Sequence, residues 1–293
     1  MDKFPEDSSQ NIAECHNLLH REELEHHKFR PPSFLQEYVE HIWTLKIGIG
    51  SKIRRDILVP NGQPGFIICL GNPGIRVDSF NGRAYPISCS YYTVTTRPFA
   101  INQQGGAWYV GVELKPYGLA AFMTARQKAN SVGLLSELFG ELAVEELQSA
   151  LRSQDFLSLA IKHVVTFLAE RTHPLPPRDL TRIASSTALI QKQEGVIKTT
   201  ELAHRINISP STLYRLFNRY IGISPEQFIG IVRYNHFVKS LTHPGSESHI
   251  LAALHGYYDE AHAAKDFKKY TGLSKKDFLN TYASLTRIMH ADD

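Results

Sequence analysis

Three textures of apolar and polar positions follow one another along the chain. Residues 1–29 are polar and rich in His, with no sustained apolar period, and predict a flexible or weakly helical lead-in. From residue 30, after an apolar opening at Phe34, Leu35, Tyr38, Val39, Ile42 and Trp43, short apolar or alternating runs take over. They span Asp56 to Val59, Phe66 to Leu70, Ile75 to Asp78, Ser88 to Thr96 and Ala107 to Leu114. Turn clusters such as Asn61 to Gly65 and Gly71 to Gly74 separate them, the pattern of an antiparallel β-barrel or sandwich. A helical period is expected from about Leu119. Leu134, Leu135, Leu138 and Phe139 are followed by Leu142, Val144, Leu147 and Leu151, then by Phe156, Leu159, Ala160, Val164, Phe167 and Leu168. Residues 172–178, with Pro174, Pro176 and Pro177, forbid a continuous helix and favour an extended spacer.

Beyond the spacer, Leu180, Ile183, Thr187 and Ile190 predict a lead helix that stops at Gly195. The stretch Thr199 to Tyr220 then reads as two short helices around a tight turn. Leu202, Ala203 and Ile206 form the apolar side of the first helix; Leu213, Leu216 and Phe217 form that of the second. Asn207 tolerates the left-handed backbone a turn needs, Ser209 is an N-cap, and Pro210 suits the first helical position. Ser211, Thr212, Tyr214, Arg215, Asn218 and Arg219 are left facing outward. That arrangement suits a helix entering a DNA major groove, although a plain helical hairpin explains the same apolar spacing. A long helix follows, with Ser224 and Gln227 at capping-box spacing, and ends before Pro244. From Ile250 the organisation repeats: a short helix, a turn at Gly256, an N-cap at Asp259, and a helix presenting Glu260, His262, Lys265, Lys268 and Lys269. Two such units joined by one helix suit successive major grooves, roughly 34 Å apart.

Charge sharpens this picture. Val196 to Met289 carries 12 Lys/Arg against 7 Asp/Glu, whereas residues 1–195 carry 20 of each. The excess sits where a phosphate-binding module requires it. Cys15, Cys69 and Cys89 show no paired metal-ligand spacing and read as reduced thiols. The amino terminus lacks the apolar core of a signal peptide, and no run approaches the roughly 20 apolar residues of a membrane span, so a cytoplasmic protein without membrane contact is expected.

Residues from about Asp179 to Leu285 resemble the C-terminal domain of the AraC/XylS family of bacterial transcription regulators. The matching residues are Leu202-Ala203, Ser209-Pro210, Leu213, Arg215 to Phe217, Gly222 to Pro225, and Gly256 to Asp259 with Phe267 to Lys269. The resemblance implies two helix-turn-helix units joined by a central helix. It places Ser211, Tyr214 and Arg215 nearest base edges, with Glu260, Ala261, His262, Ala264 and Lys265 on the corresponding face of the second unit. Ala263 departs from the bulky apolar residue common in the family, and the reading face includes Glu260 and two alanines, so the second unit is expected either to read few bases or to contribute mainly backbone contacts. More weakly, Phe34 to Trp43, Ile57 to Gly62 and Val110 to Phe122 resemble the effector-sensing or dimerisation domains that precede this module. The expected organisation is a polar lead-in at 1–29, a β-barrel plus helices at 30–171, the linker at 172–178, and an AraC-type DNA-binding domain at 179–293.

Double-stranded DNA is the expected partner, through Ser211, Thr212, Tyr214, Arg215, Arg219, Glu260, His262, Lys265, Lys268 and Lys269. Trp43, Trp108 and Tyr109 are candidates for holding a small-molecule effector; Tyr91 and Tyr92 could join them or simply fill the barrel. A homodimer and contact with RNA polymerase are expected from the resemblance. No catalytic residue, metal or cofactor is expected. The rival is a catalytic or metal-dependent barrel fused to a DNA-binding module. Its candidates are His16, His20, His41, Cys69 and Cys89, which form no recognisable nucleophile–base or metal motif.

Overall fold

The computed structural model describes residues 14–15, 24–50, 54–78, 81–154, 157–241, 255–274 and 277. Eleven strands are found among them: β1 (Glu14–Cys15), β2 (Leu24–Phe29), β3 (Val39–Ile47), β4 (Arg54–Leu58), β5 (Gly65–Cys69), β6 (Ile75–Asp78), β7 (Ala84–Pro86), β8 (Ser90–Tyr92), β9 (Phe99–Gln103), β10 (Trp108–Leu114) and β11 (Val132–Leu134). They form a seven-stranded sheet ordered β1-β2-β3-β10-β5-β8-β11 and a four-stranded sheet ordered β4-β9-β6-β7. Neighbouring strands run antiparallel. The two sheets do not close on each other, so of the two expected architectures the chain adopts the sandwich.

The pleat sorts side chains between two cores. In β3, Trp43, Leu45 and Ile47 face the space between the sheets with Tyr109 of β10. Ile42, Val110, Val112 and Leu114 face the other way, onto the helices. Those helices are α1 (Leu135–Phe139), α2 (Glu141–Arg152) and α3 (Leu157–Arg171). Phe139 is the hub of their packing, edge-on to Phe66 at 5.6 Å and to Phe167 at 5.1 Å.

Three expectations are corrected. The polar lead-in does not run to residue 29, because Leu24–Phe29 is a full strand paired with β3. Its inward positions include His26 and Lys28, which are buried, so no apolar alternation announces it. The helical region starts later than expected: Gly118–Ala121 is only a 3-10 turn, Leu134 ends an edge strand, and α1 begins at Leu135. Leu134, Leu142 and Leu159 do not join the buried stripe. Leu142 is 68% exposed, because Val144, Leu147 and Leu151 define the inward side of α2. Phe156, His16 and His20 lie outside the described residues.

The Pro-rich segment is extended and docked. His173 donates its N–H to the Ala121 carbonyl (2.7 Å), Leu175 donates to the Tyr38 hydroxyl (3.1 Å), and the Leu175 side chain is buried. Pro177 opens α4 (Pro177–Lys192), followed by α5 (Thr199–Arg205), α6 (Pro210–Tyr220), α7 (Pro225–Leu241) and α8 (Glu260–Thr271). The short helix expected from Ile250 and the end of the long helix before Pro244 lie outside the described residues.

Candidate nucleic-acid interface

Local chemistry sets the geometry of the α5–α6 unit. Asn207 adopts φ 57° between the two helices, the left-handed turn its side chain tolerates. Ser209 Oγ accepts the Thr212 N–H at 3.2 Å, and Pro210 opens the helix. Leu213, Leu216 and Phe217 are fully buried; Phe217 packs against Phe228 of α7 at 5.8 Å. Across α6, Ser211, Tyr214, Arg215 and Arg219 are exposed or partly so, with Thr212 and Asn218 beside them.

These groups are not equally free. The Ser211 and Thr212 hydroxyls hydrogen-bond the Ser209 hydroxyl at 3.0 and 2.9 Å, so both are turned toward the cap. The Tyr214 hydroxyl donates to the Glu226 carboxylate on the first turn of α7, which holds that hydroxyl protonated above the ordinary tyrosine range. Arg219 lies over the Tyr220 ring at 5.2 Å. Arg215 makes no ion pair among the described residues; its charge acts on the Tyr220 hydroxyl, and it lines a cleft with Arg126 and His173. Sequence reasoning misses Glu226 as part of this surface: it lies 12 residues from Tyr214 and only the fold joins them.

The second unit repeats the plan. Asp259 caps α8 by accepting the His262 N–H at 2.7 Å. Ala263, Phe267 and Tyr270 are buried, the two rings packing on Tyr234 of α7 at 6.0 and 4.9 Å. Glu260, Ala261, His262, Ala264, Lys265, Lys268 and Lys269 lie on the outward side. The His262 ring stands edge-on to Tyr257 at 5.3 Å, and Lys269 bonds the Tyr270 hydroxyl at 3.2 Å. Asp266, an acid on this helix, is paired with Arg233 at 3.3 Å. Tyr258, just before the cap, is 93% exposed, and no periodicity in the sequence points to it. Lys275 and Lys276 lie outside the described residues.

A second site lies between the sheets. Of the three aromatic effector candidates, Trp43 and Tyr109 line its cavity together with Tyr92, Phe99, Arg76 and Glu113. Trp108 does not: it is next to Tyr109 in β10 and so points to the opposite face, where Lys46 sits 5.0 Å over its ring. Tyr91 belongs to the helix-side core. Glu113 accepts from Asn61 Nδ2 at 2.5 Å and from the Tyr92 hydroxyl at 3.1 Å. Burial pushes its carboxyl up to about 7, the two hydrogen bonds opposing that rise. Cys69 and Cys89 are free thiols whose pKa burial raises, the reverse of an activated nucleophile. Burial pushes His41 down to about 3. No group of three or more His, Cys, Asp or Glu among the described residues could hold a metal ion, and none of the described helices is long and apolar enough to cross a membrane.

Comparison with known proteins fits this geometry. Residues 202–281 match the model of a helix-turn-helix domain, and residues 27–130 match a domain of unknown function (DUF6597). The lactose operon transcription activator of Staphylococcus xylosus is 26% identical over 87 residues, 30% of this chain and 31% of that protein. The raffinose operon transcriptional regulatory protein RafR of Pediococcus pentosaceus is 31% identical over 74 residues, 25% of this chain and 27% of that protein. The chain thus spans less than a third of the length of these curated relatives. The structure of ToxT from Vibrio cholerae is similar over 79% of this chain and 99% of its own, at 9% identity and a TM-score of 0.45. The C-terminal part of the chain carries a helix-turn-helix domain of the AraC type.

Proposed function

We propose that the chain is a sequence-specific DNA-binding regulator of transcription, without catalytic activity, that works in the cytoplasm as a homodimer. The exposed, N-capped α6 with its unpaired Arg215 carries this reading. A guanidinium held out from a rigid helix can make a bidentate pair with guanine O6 and N7, discriminating by about 1–3 kcal/mol. Lys265 and Lys268 supply backbone attraction. The cavity between the sheets takes a small-molecule effector whose binding biases the DNA-binding half, and RNA polymerase is the partner through which the bound regulator acts. On this reading the sandwich and its helices, from β2 to residue 171, sense and 179–293 bind DNA, with 172–178 between them.

The test is an unbiased selection of duplexes by the full chain, followed by binding of variants to the selected and a scrambled duplex over a salt series. Arg215→Ala should weaken the selected duplex by about 10-fold or more while leaving the scrambled one nearly unchanged. Lys268→Ala should weaken both and flatten the salt slope by roughly one unit. Equal losses on both duplexes for Arg215→Ala would remove its base-reading role. The effector arm is read by thermal shift, because a ligand at 100 times its Kd adds about 2.7 kcal/mol to the folded state.

A further inference from the structure

The two helix-turn-helix units correspond residue by residue in the properties that build them. Ser209 and Asp259 are the caps, Leu213 and Ala263 are buried, Phe217 and Phe267 are buried, and Tyr220 and Tyr270 are buried. Each helix is followed within two residues by a glycine of positive φ, Gly222 at 82° and Gly272 at 73°. The correspondence fixes which outward positions are equivalent. Ser211 answers to Ala261, Tyr214 to Ala264, Arg215 to Lys265 and Asn218 to Lys268. Where the first unit offers a hydroxyl and a phenol, the second offers two methyl groups.

Both alanines are exposed, so neither is a core residue displaced to the surface. Ala263 alone serves the core of this turn, at 1% exposure. A short side chain at an outward position lets a helix backbone approach a groove closely, and it offers nothing that can donate or accept a hydrogen bond. Tyr258 adds a large aromatic face one residue before the cap, 93% exposed. Its counterpart in the first unit, Ile208, packs against the core. Lys265 and Lys268 flank this apolar strip, in no ion pair among the described residues, where they complement phosphates. Glu260 occupies the first turn, where the helix N-terminus favours an acid.

Only one apolar group is displayed by the base pairs in a major groove, the C5 methyl of thymine. We infer that the second unit reads thymine methyl groups, through Ala261, Ala264 and Tyr258, in place of hydrogen bonds to base edges. The inference rests on the reading of this domain as DNA-binding, and it assigns the second half-site a chemistry different from the first.

Replacing thymine by uracil removes that methyl and nothing else. Duplexes selected by the full chain from a random pool are resynthesised with uracil in one half-site at a time, the first half-site being the one whose preference Arg215→Ala relaxes. Each contacted methyl lost from the second half-site should weaken binding about fourfold, the loss expected for one methyl-sized group returned to water. Ala264→Ser and Tyr258→Ala, at exposed positions that leave the unfolding midpoint in place, should abolish the thymine preference without shifting the first half-site. Binding indifferent to uracil in the second half-site, or selection of guanine or cytosine there, overturns the inference while leaving the DNA-binding reading intact. A pool that yields no preferred sequence overturns both.

Discussion

At the scale of single residues, the interior of the sandwich holds two ionisable groups that burial shifts in opposite directions, Glu113 and His26. Glu113 titrates near 7 in the folded state and near 4.3 in an unfolded chain, so folding binds a proton across that interval. Its favourable contribution is complete below about pH 4.3 and is lost as pH rises through about 7. At about 1.36 kcal/mol for each pH unit separating the two values, the loss is roughly 3–4 kcal/mol. Glu113→Gln keeps the shape of the neutral acid and removes the titration. The variant should match the wild type near pH 4.5 and exceed it by about 3–4 kcal/mol at pH 8, read from denaturant midpoints; identical pH profiles would show that Glu113 is not desolvated. His26 works in the opposite sense. Burial, with Lys28 beside it, lowers its pKa to about 4, and neither ring nitrogen has a hydrogen-bond partner among the described residues. Its neutral form is stable above about pH 6.5, and that stability is lost as pH falls through 6.5 toward 4. Replacing His26 by Gln should therefore soften acid unfolding between pH 6.5 and 4, seen as a smaller drop in midpoint than the wild type shows. Neither role is legible in the sequence, where His26 sits in a polar stretch and Glu113 in a strand of ordinary pattern. Which face a strand residue takes is set by register with its neighbours, not by the residue itself.

Among the elements, those fixed by local chemistry are the legible ones. Asn207, Ser209, Pro210, Asp259 and the reciprocal Ser224–Gln227 pair (3.0 and 3.3 Å) act within four residues of where they sit, so their spacing announces the helix ends. β2 is illegible for the opposite reason: its interior positions include His26 and Lys28, and only pairing with β3 places them inside. The turn at Asn61 to Gly65 is plain as punctuation, yet nothing in its spacing tells what it touches. Asn61 reaches Glu113, and its side chain accepts the Gln63 N–H at 3.0 Å. Gly62, at φ 83°, lies against the other half of the chain, where a β-carbon would come within 3.0 Å of the Phe228 ring of α7. An alanine there meets the left-handed backbone penalty, about 1–2 kcal/mol, before any displacement of the ring. Gly62→Ala should destabilise the chain by at least that amount in denaturant titrations. A neutral substitution would mean that the turn does not bear on α7.

Across the whole molecule, the division expected at residues 172–178 meets a continuous core. Buried side chains run in one cluster from Phe29 of the sandwich to Tyr270 of α8. Polar contacts cross the same boundary: Gln127, 3% exposed, donates Nε2–H to the Tyr220 carbonyl at 3.0 Å, where α6 ends. The Tyr220 hydroxyl in turn donates to Asp179 on α4 at 2.7 Å. The end of α6 is thus clasped by the sandwich-side loop, and the Pro-rich segment lies docked beside it. Such a boundary should transmit stability from one half to the other, and the chain carries its own probes for this. Both tryptophans, Trp43 and Trp108, lie in the sandwich, whereas α4 to α8 contribute much of the helical signal. Thermal unfolding followed by tryptophan fluorescence and by far-ultraviolet dichroism should give coincident midpoints, the mark of one cooperative unit. Gln127→Ala strips the clasp from a buried carbonyl, a cost of about 1–3 kcal/mol, and should lower both midpoints together. If the fluorescence transition moved while the dichroism transition stayed in place, the two halves would be independent folding units, and a molecule held between the sheets would have no mechanical route through this contact to α6.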